Sequence, residues 1–133
     1  MDLNQVTLGV TDVSEAIRFY QTLGLTLIVH THDAYARFEC PGGATLSVHL
    51  VDAVRPSTTL VYFECDDLDA RIARLQEAGV AITQEPTDRS WLWREARLTD
   101  PSGNPLCLYH AGEARRFPPW RHAGAPLPHG ATP

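Results

Sequence analysis

Val10-Thr11-Asp12-Val13-Ser14-Glu15-Ala16-Ile17 is answered later in the chain by Cys65-Asp66-Asp67-Leu68-Asp69-Ala70-Arg71-Ile72, which sets Asp12 against Asp67 at an offset of 55 residues. Gly24-Leu25 and Gly79-Val80 keep that offset. A second offset, of 60 residues, relates Gly43-Ala44-Thr45-Leu46-Ser47-Val48 to Gly103-Asn104-Pro105-Leu106-Cys107-Leu108. The chain reads as two copies of one module. At 133 residues it can bury a sizeable core either as one compact domain or as two half-domains sharing a sheet.

Each module spells strand, helix, then three strands. Val6, Leu8 and Val10 alternate with Gln5, Thr7 and Gly9, the period-two signal of a half-buried strand. Asp12 suits a helix N-cap with Glu15 as its capping-box partner. Val13, Ala16, Ile17, Tyr20 and Leu23 form an apolar helical stripe, and Gly24 supplies a left-handed C-cap. In the second copy Asp66 or Asp67 caps, Leu68, Ile72, Leu75 and Ala78 form the stripe, and Gly79 stops the helix. Strands are expected near 25–30, 35–40 and 45–51, with counterparts near 80–84, 93–99 and 105–110. Pro41-Gly42-Gly43 and Asp100-Pro101-Ser102-Gly103-Asn104 are the matching turns. The fold class is α+β.

Composition narrows the partners. With 44% hydrophobic and 20% charged residues the chain is neither disordered nor fibrous. A net charge of −5, with Arg115-Arg116 the one basic cluster, leaves no electrostatic footprint for nucleic acid or an anionic membrane. No apolar run approaches the roughly 20 residues needed to span a bilayer, and the N-terminus lacks a signal-peptide layout, so a cytoplasmic protein is expected. Cys40, Cys65 and Cys107 are odd in number, fall in expected strands and form no CxxC; they read as buried reduced thiols.

The modules are expected at 1–53 and 58–112, joined through Val54-Arg55-Pro56-Ser57, followed by a Pro-rich tail at 113–133. Half of the ten prolines (Pro118, Pro119, Pro126, Pro128 and Pro133) stand in that tail, which reads as extended. Phe117 and Trp120, flanking Pro118-Pro119, could dock it onto the domain or onto a partner.

The paired modules, the Asp-capped helices ending in Leu-Gly-Leu and Ala-Gly-Val, the stretch Phe63-Glu64-Cys65-Asp66-Asp67-Leu68 and the turn Asp100-Pro101-Ser102-Gly103-Asn104 resemble the vicinal oxygen chelate superfamily. It includes glyoxalase I, extradiol dioxygenases and bleomycin-resistance proteins, and the resemblance covers about residues 3 to 110. It implies two tandem βαβββ modules whose sheets curl around a cavity with helices on the outer face, and a homodimer. It is specific for fold and not for activity, because one scaffold hosts many chemistries.

Strand parity names the side chains that would line such a cavity, since helices must cover the apolar face of each sheet. The first module supplies Gln5, Thr7, Tyr35, Arg37, Ser47 and His49. The second supplies Tyr62 and Glu64, Trp93, Glu95 and Arg97, and Cys107 and Tyr109. A face carrying two Arg and two Glu is not dry core, because unpaired buried charge costs several kcal/mol. A wet ligand cavity suits it better.

By the resemblance, metal-dependent relatives draw one His or Glu from each of four strands, and the matching positions here are Gln5, Ser47, Leu60 and Cys107. None offers carboxylate or imidazole, so no metal and no cofactor is expected. A shifted set of His49, Glu64 and Cys107 is conceivable but nothing in the spacing requires it. Two kinds of work remain open. The first is sequestration, in the manner of bleomycin-resistance proteins, of a small aromatic, anionic organic molecule by the aromatics together with Arg37 and Arg97. The second is glyoxalase-type lyase, isomerase or dioxygenase chemistry, through a shifted metal site or metal-free acid/base groups, with Glu64 or Glu95 as base and His49 as proton partner. A third reading makes the Phe117–Trp120 stretch a protein-docking element.

Overall fold

The computed structural model describes residues 1–127, so Pro128, His129 and Pro133 lie outside the described residues. Strand β1 (Gln5–Val10) leads into helix α1 (Val13–Leu23), then β2 (Thr26–Thr31), β3 (Tyr35–Glu39) and β4 (Thr45–Leu50). The second copy runs β5 (Val61–Glu64), α2 (Leu68–Glu77), β6 (Gln84–Asp88), β7 (Arg94–Thr99) and β8 (Pro105–His110). Each copy forms its own four-stranded mixed sheet, in the orders β1-β4-β3-β2 and β5-β8-β7-β6. In both, the first and last strands pair in parallel and the other pairs are antiparallel. The sheets are unclosed. No helix among the described residues is long and apolar enough to cross a membrane.

The duplicated helix starts work as capping chemistry requires. Asp12 Oδ1 accepts the Glu15 N–H at 3.0 Å, and Asp67 Oδ1 accepts that of Ala70 at 3.4 Å, each satisfying an amide left without an intrahelical acceptor. Gly24, at φ +105°, ends α1 in the left-handed region. Helix α2 is capped one residue earlier, at Ala78, which is therefore exposed rather than part of the buried stripe, and Gly79 follows at φ +90°.

Val13, Ala16, Ile17, Tyr20 and Leu23 of α1 and Leu68, Ile72 and Leu75 of α2 join Phe38, Val48, Leu98 and Leu106 from the sheets in one apolar core spanning both copies. At the seam, Tyr20 donates to Asp100 Oδ2 at 2.7 Å and Asn104 Nδ2 donates to the Gly9 carbonyl at 2.8 Å.

One strand departs from the expected register. The segment 80–84 carries the alternation of a strand, yet β6 begins at Gln84. Val80 and Ile82 pack against the core from an extended connection without joining the ladder. The ladder starts at Gln84 opposite Arg97, is irregular before Thr87, and contains Pro86, which an edge strand tolerates because one side needs no donor.

Beyond β8 the chain does not run straight into an extended tail. A 3-10 turn forms at Gly112–Arg115, and the ring of Phe117 lies 5.3 Å from the guanidinium of Arg116 and 4.9 Å from that of Arg121. Trp120 stays exposed.

Candidate functional site

Register places the expected site residues on one face of each sheet. Ser47 lies opposite both Thr7 and Arg37, and Tyr35 opposite His49. In the second sheet Cys107 lies opposite Tyr62 and Arg97, and Tyr109 opposite Glu64 and Glu95. The alternate residues, Ala36, Phe38, Ala96 and Leu98, fill the core, so helix packing on one side turns these side chains to the other.

On the first face a hydrogen-bond chain centres on Ser47, which is fully buried. Gln5 Nε2 donates to Ser47 Oγ at 2.7 Å, Ser47 Oγ lies 2.7 Å from the Tyr35 hydroxyl, and Arg37 Nε donates to that hydroxyl at 3.0 Å. The other end of the Gln5 amide accepts from Thr45. Because Ser47 already accepts from Gln5, its proton is free to go to Tyr35. The Ser47 hydrogen bond first, and the Arg37 guanidinium after it, lower the Tyr35 phenol below its ordinary pKa despite the opposing effect of desolvation. His49 is exposed and makes no side-chain hydrogen bond among the described residues.

The second face is aromatic and charged. Trp93 stacks on Tyr109 with centroids 4.8 Å apart, and Tyr62 stands edge-on to both, at 5.9 and 5.5 Å. Beside them Glu95, only 1% exposed, takes hydrogen bonds from Arg97 Nη2 at 2.9 Å, Trp91 Nε1 at 2.8 Å and the Cys107 thiol at 3.4 Å. Burial and the hydrogen bond to Glu95 push the Cys107 thiol up to about 12, so it stays protonated. Arg97 also lies 5.9 Å from the Tyr62 ring. Glu64 is engaged elsewhere. Its Oε2 accepts the Ala111 and Gly112 N–H groups at 2.8 and 2.9 Å, fastening the 3-10 turn to β5.

The two faces are complete within their own copies. Among the described residues no hydrogen bond, ion pair or aromatic contact joins one face to the other. The physical reason is the seam. The copies meet through α1, the end of β1 and the β7–β8 turn, on the apolar side of both sheets.

The four positions that would carry a metal do not fit one. Gln5 and Ser47 are bonded to each other, Leu60 is aliphatic, and Cys107, turned to Glu95, is the one side chain of the four of a usual ligand type. Divalent ions in such sites take imidazole nitrogen, thiolate or anionic oxygen. No group of three or more His, Cys, Asp or Glu among the described residues is arranged to hold an ion, and His49, Glu64 and Cys107 do not converge. All three cysteines are free; Cys107 is buried, while Cys40 and Cys65 are only partly so.

Trp91 escaped the sequence reading, yet its indole closes the Glu95 site. A signal existed. Trp91, Trp93, Glu95 and Arg97 keep one parity, and extending the strand two residues back would have included it. It stands outside β7 because the chain turns at Leu92, which has φ +70°.

Known proteins share this architecture. The family model "Glyoxalase/Bleomycin resistance protein/Dioxygenase superfamily" matches residues 2–108. An uncharacterized protein of Mycolicibacterium smegmatis is 30% identical over 109 residues, covering 81% of this chain and 92% of that one. Among solved structures, a possible glyoxalase from Bacillus cereus superposes with a TM-score of 0.70 at 24% identity, covering 81% of this chain and 97% of the other. A glyoxalase/bleomycin resistance protein/dioxygenase family enzyme from Burkholderia phytofirmans PsJN gives 0.72 at 18% identity, covering 84% and 99%. At these identities the structural likeness speaks for the fold alone.

Proposed function

The chain belongs to the Glyoxalase/Bleomycin resistance protein/Dioxygenase superfamily, and from that membership we propose that it binds a small anionic aromatic molecule without a metal. One observation carries the reading: the positions of Gln5 and Ser47 are spent on a hydrogen bond to each other, and that bond supports a donor pair, Tyr35 and Arg37, on the open face of the sheet. Arg37 has no carboxylate partner among the described residues, whereas Arg97 is paired with Glu95. Arg37 is therefore the residue for a ligand carboxylate or phosphate, and the Tyr35 hydroxyl supplies a second donor. Trp93, Tyr109 and Tyr62 offer aromatic surface on the other face.

We read the functional unit as a homodimer on the ground of the family membership alone. Sequestration is favoured over acid/base catalysis through Glu95, because that buried carboxylate takes three donors; Glu64 is tied by two backbone amides at Oε2 alone and is the carboxylate that a catalytic reading would use.

The test is calorimetric titration with a panel of aromatic carboxylates, together with light scattering and elemental analysis after dialysis. Saturable binding that falls at least about tenfold in Arg37→Ala, in a dimer retaining no stoichiometric metal, is expected. A retained divalent ion, or binding indifferent to Arg37, would overturn the reading.

A further inference from the structure

The internal duplication produces two seams, and they are not equivalent. In the first, Asp100 Oδ1 accepts the N–H groups of Ser102 and Asn104, each at 2.9 Å, and Oδ2 accepts from Tyr20 and from Asn104 Nδ2, at 2.7 and 2.9 Å. The Ser102 hydroxyl also accepts the Thr11 N–H at 3.0 Å. That carboxylate is buried, 3% exposed, and every lone pair has an obvious donor.

The 60-residue offset carries Asp100, Ser102 and Asn104 onto Cys40, Gly42 and Ala44, and the 55-residue offset carries Tyr20 onto Leu75. The turn itself is conserved between the copies. Cys40 N–H bonds the Ala44 carbonyl as Asp100 N–H bonds that of Asn104, and Gly43 and Gly103 share φ +94°. What is missing is the filling. Cys40 stands where Asp100 does and supplies no carboxylate, and among the described residues the N–H groups of Gly42 and Ala44, both exposed, have no protein acceptor. A cleft of about 630 Å³ opens there, against about 350 Å³ at the bolted seam.

Charge changes in the same place. Ala16 and Phe19 of α1 correspond to Arg71 and Arg74 of α2, one turn apart and both lining the open cleft. Neither guanidinium has a carboxylate within 4.0 Å among the described residues. Three carboxylates share the cleft and keep their charge: Asp67 caps α2, Glu64 holds the 3-10 turn with backbone amides, and Asp66 is exposed at the rim. Leu23, Leu25, Phe63 and Leu108 give the cleft an apolar wall, and Tyr62 and Cys65 line it beside them.

We propose that this open seam is a second binding site, for a small carboxylate with an apolar body, whose carboxylate takes the place that Asp100 fills in the other copy. The Gly42 and Ala44 amides and the Arg71 and Arg74 side chains receive the anion, and the leucines and Phe63 receive the body. The Cys40 thiol, raised above its ordinary pKa by burial, remains neutral beside it and does not repel the charge. The site does not include Arg37, and Tyr62 and Glu64 of the second polar face stand at its edge.

The experiment is a titration of ¹⁵N-labelled full-length protein with 4-phenylbutyrate. Saturable shifts at the Gly42 and Ala44 amides are expected, with affinity at least about tenfold weaker in the surface double variant Arg71→Gln/Arg74→Gln and unchanged in Arg37→Ala. Transplanting the bolt, Cys40→Asp with Ala44→Asn and Leu75→Tyr, is expected to abolish those shifts. No saturation, shifts confined to the Arg37 face, or equal affinity in the double variant would each overturn the proposal, whether or not the bolt variant folds.

Discussion

The Tyr20 hydroxyl reaches 2.7 Å across the seam to Asp100, so a helix of the first copy supplies the proton that satisfies a buried carboxylate of the second. Desolvation, and then the charge and hydrogen bond of Asp100, raise the Tyr20 phenol far above its ordinary pKa, keeping it a donor at any physiological pH.

Tyr20→Phe therefore leaves the apolar packing in place and removes one donor from a buried anion. We expect a loss of about 1–3 kcal/mol in urea unfolding, with the slope of the transition unchanged. A variant as stable as the parent would show that the bond contributes nothing net.

Cys107 gives the chain an alkaline limit. Its ordinary value of 9.0 is raised to about 12 in the fold, so the folded state favours the neutral thiol. The stabilisation is fully present below pH 9 and is lost as pH rises towards about 12, because the unfolded chain releases the proton first. Unfolding free energy measured from pH 8 to 11 should fall, and Cys107→Ala should fall less steeply; parallel curves would exclude the thiol as the cause.

Arg97 and Glu95 form a pair with one member buried, Arg97 retaining 31% exposure of its side chain. Arg97→Ala strands the carboxylate with Trp91 and Cys107 and should cost about 3 kcal/mol, the low end for breaking such a pair, since water reaches the guanidinium side. Adding Glu95→Gln should recover part of the loss in the same denaturation assay. Full additivity of the two changes would mean they are not coupled.

Leu92 occupies the left-handed region at φ +70° while 55% exposed, between Trp91 on Glu95 and Trp93 on Tyr109. A branched side chain pays about 1–2 kcal/mol for that backbone, and glycine removes the strain while adding entropy to the unfolded chain. Leu92→Gly should raise stability by up to about 1 kcal/mol in thermal unfolding. A drop would mean that the leucine side chain holds the hairpin tip.

Most of the architecture was legible because it rests on local rules written twice: Asp12 and Asp67 at the helix starts, Gly24 and Gly79 after the helix ends, alternation in β1, β3 and β8. The membership of the polar faces followed from the same parity. Strand β6 was misplaced because Val80 and Ile82 alternate for packing and not for pairing. The separation of the two faces was not legible, since it depends on the seam bonds of Tyr20 and Asn104, and no periodicity reports a contact between residues 80 or 95 positions apart.

The Asp100 turn adds polar ties where a shared apolar core already joins the two copies. Among the described residues its twin at Cys40 makes no hydrogen bond to the other copy, so a change at that twin can alter the cleft without cutting a tie between the halves.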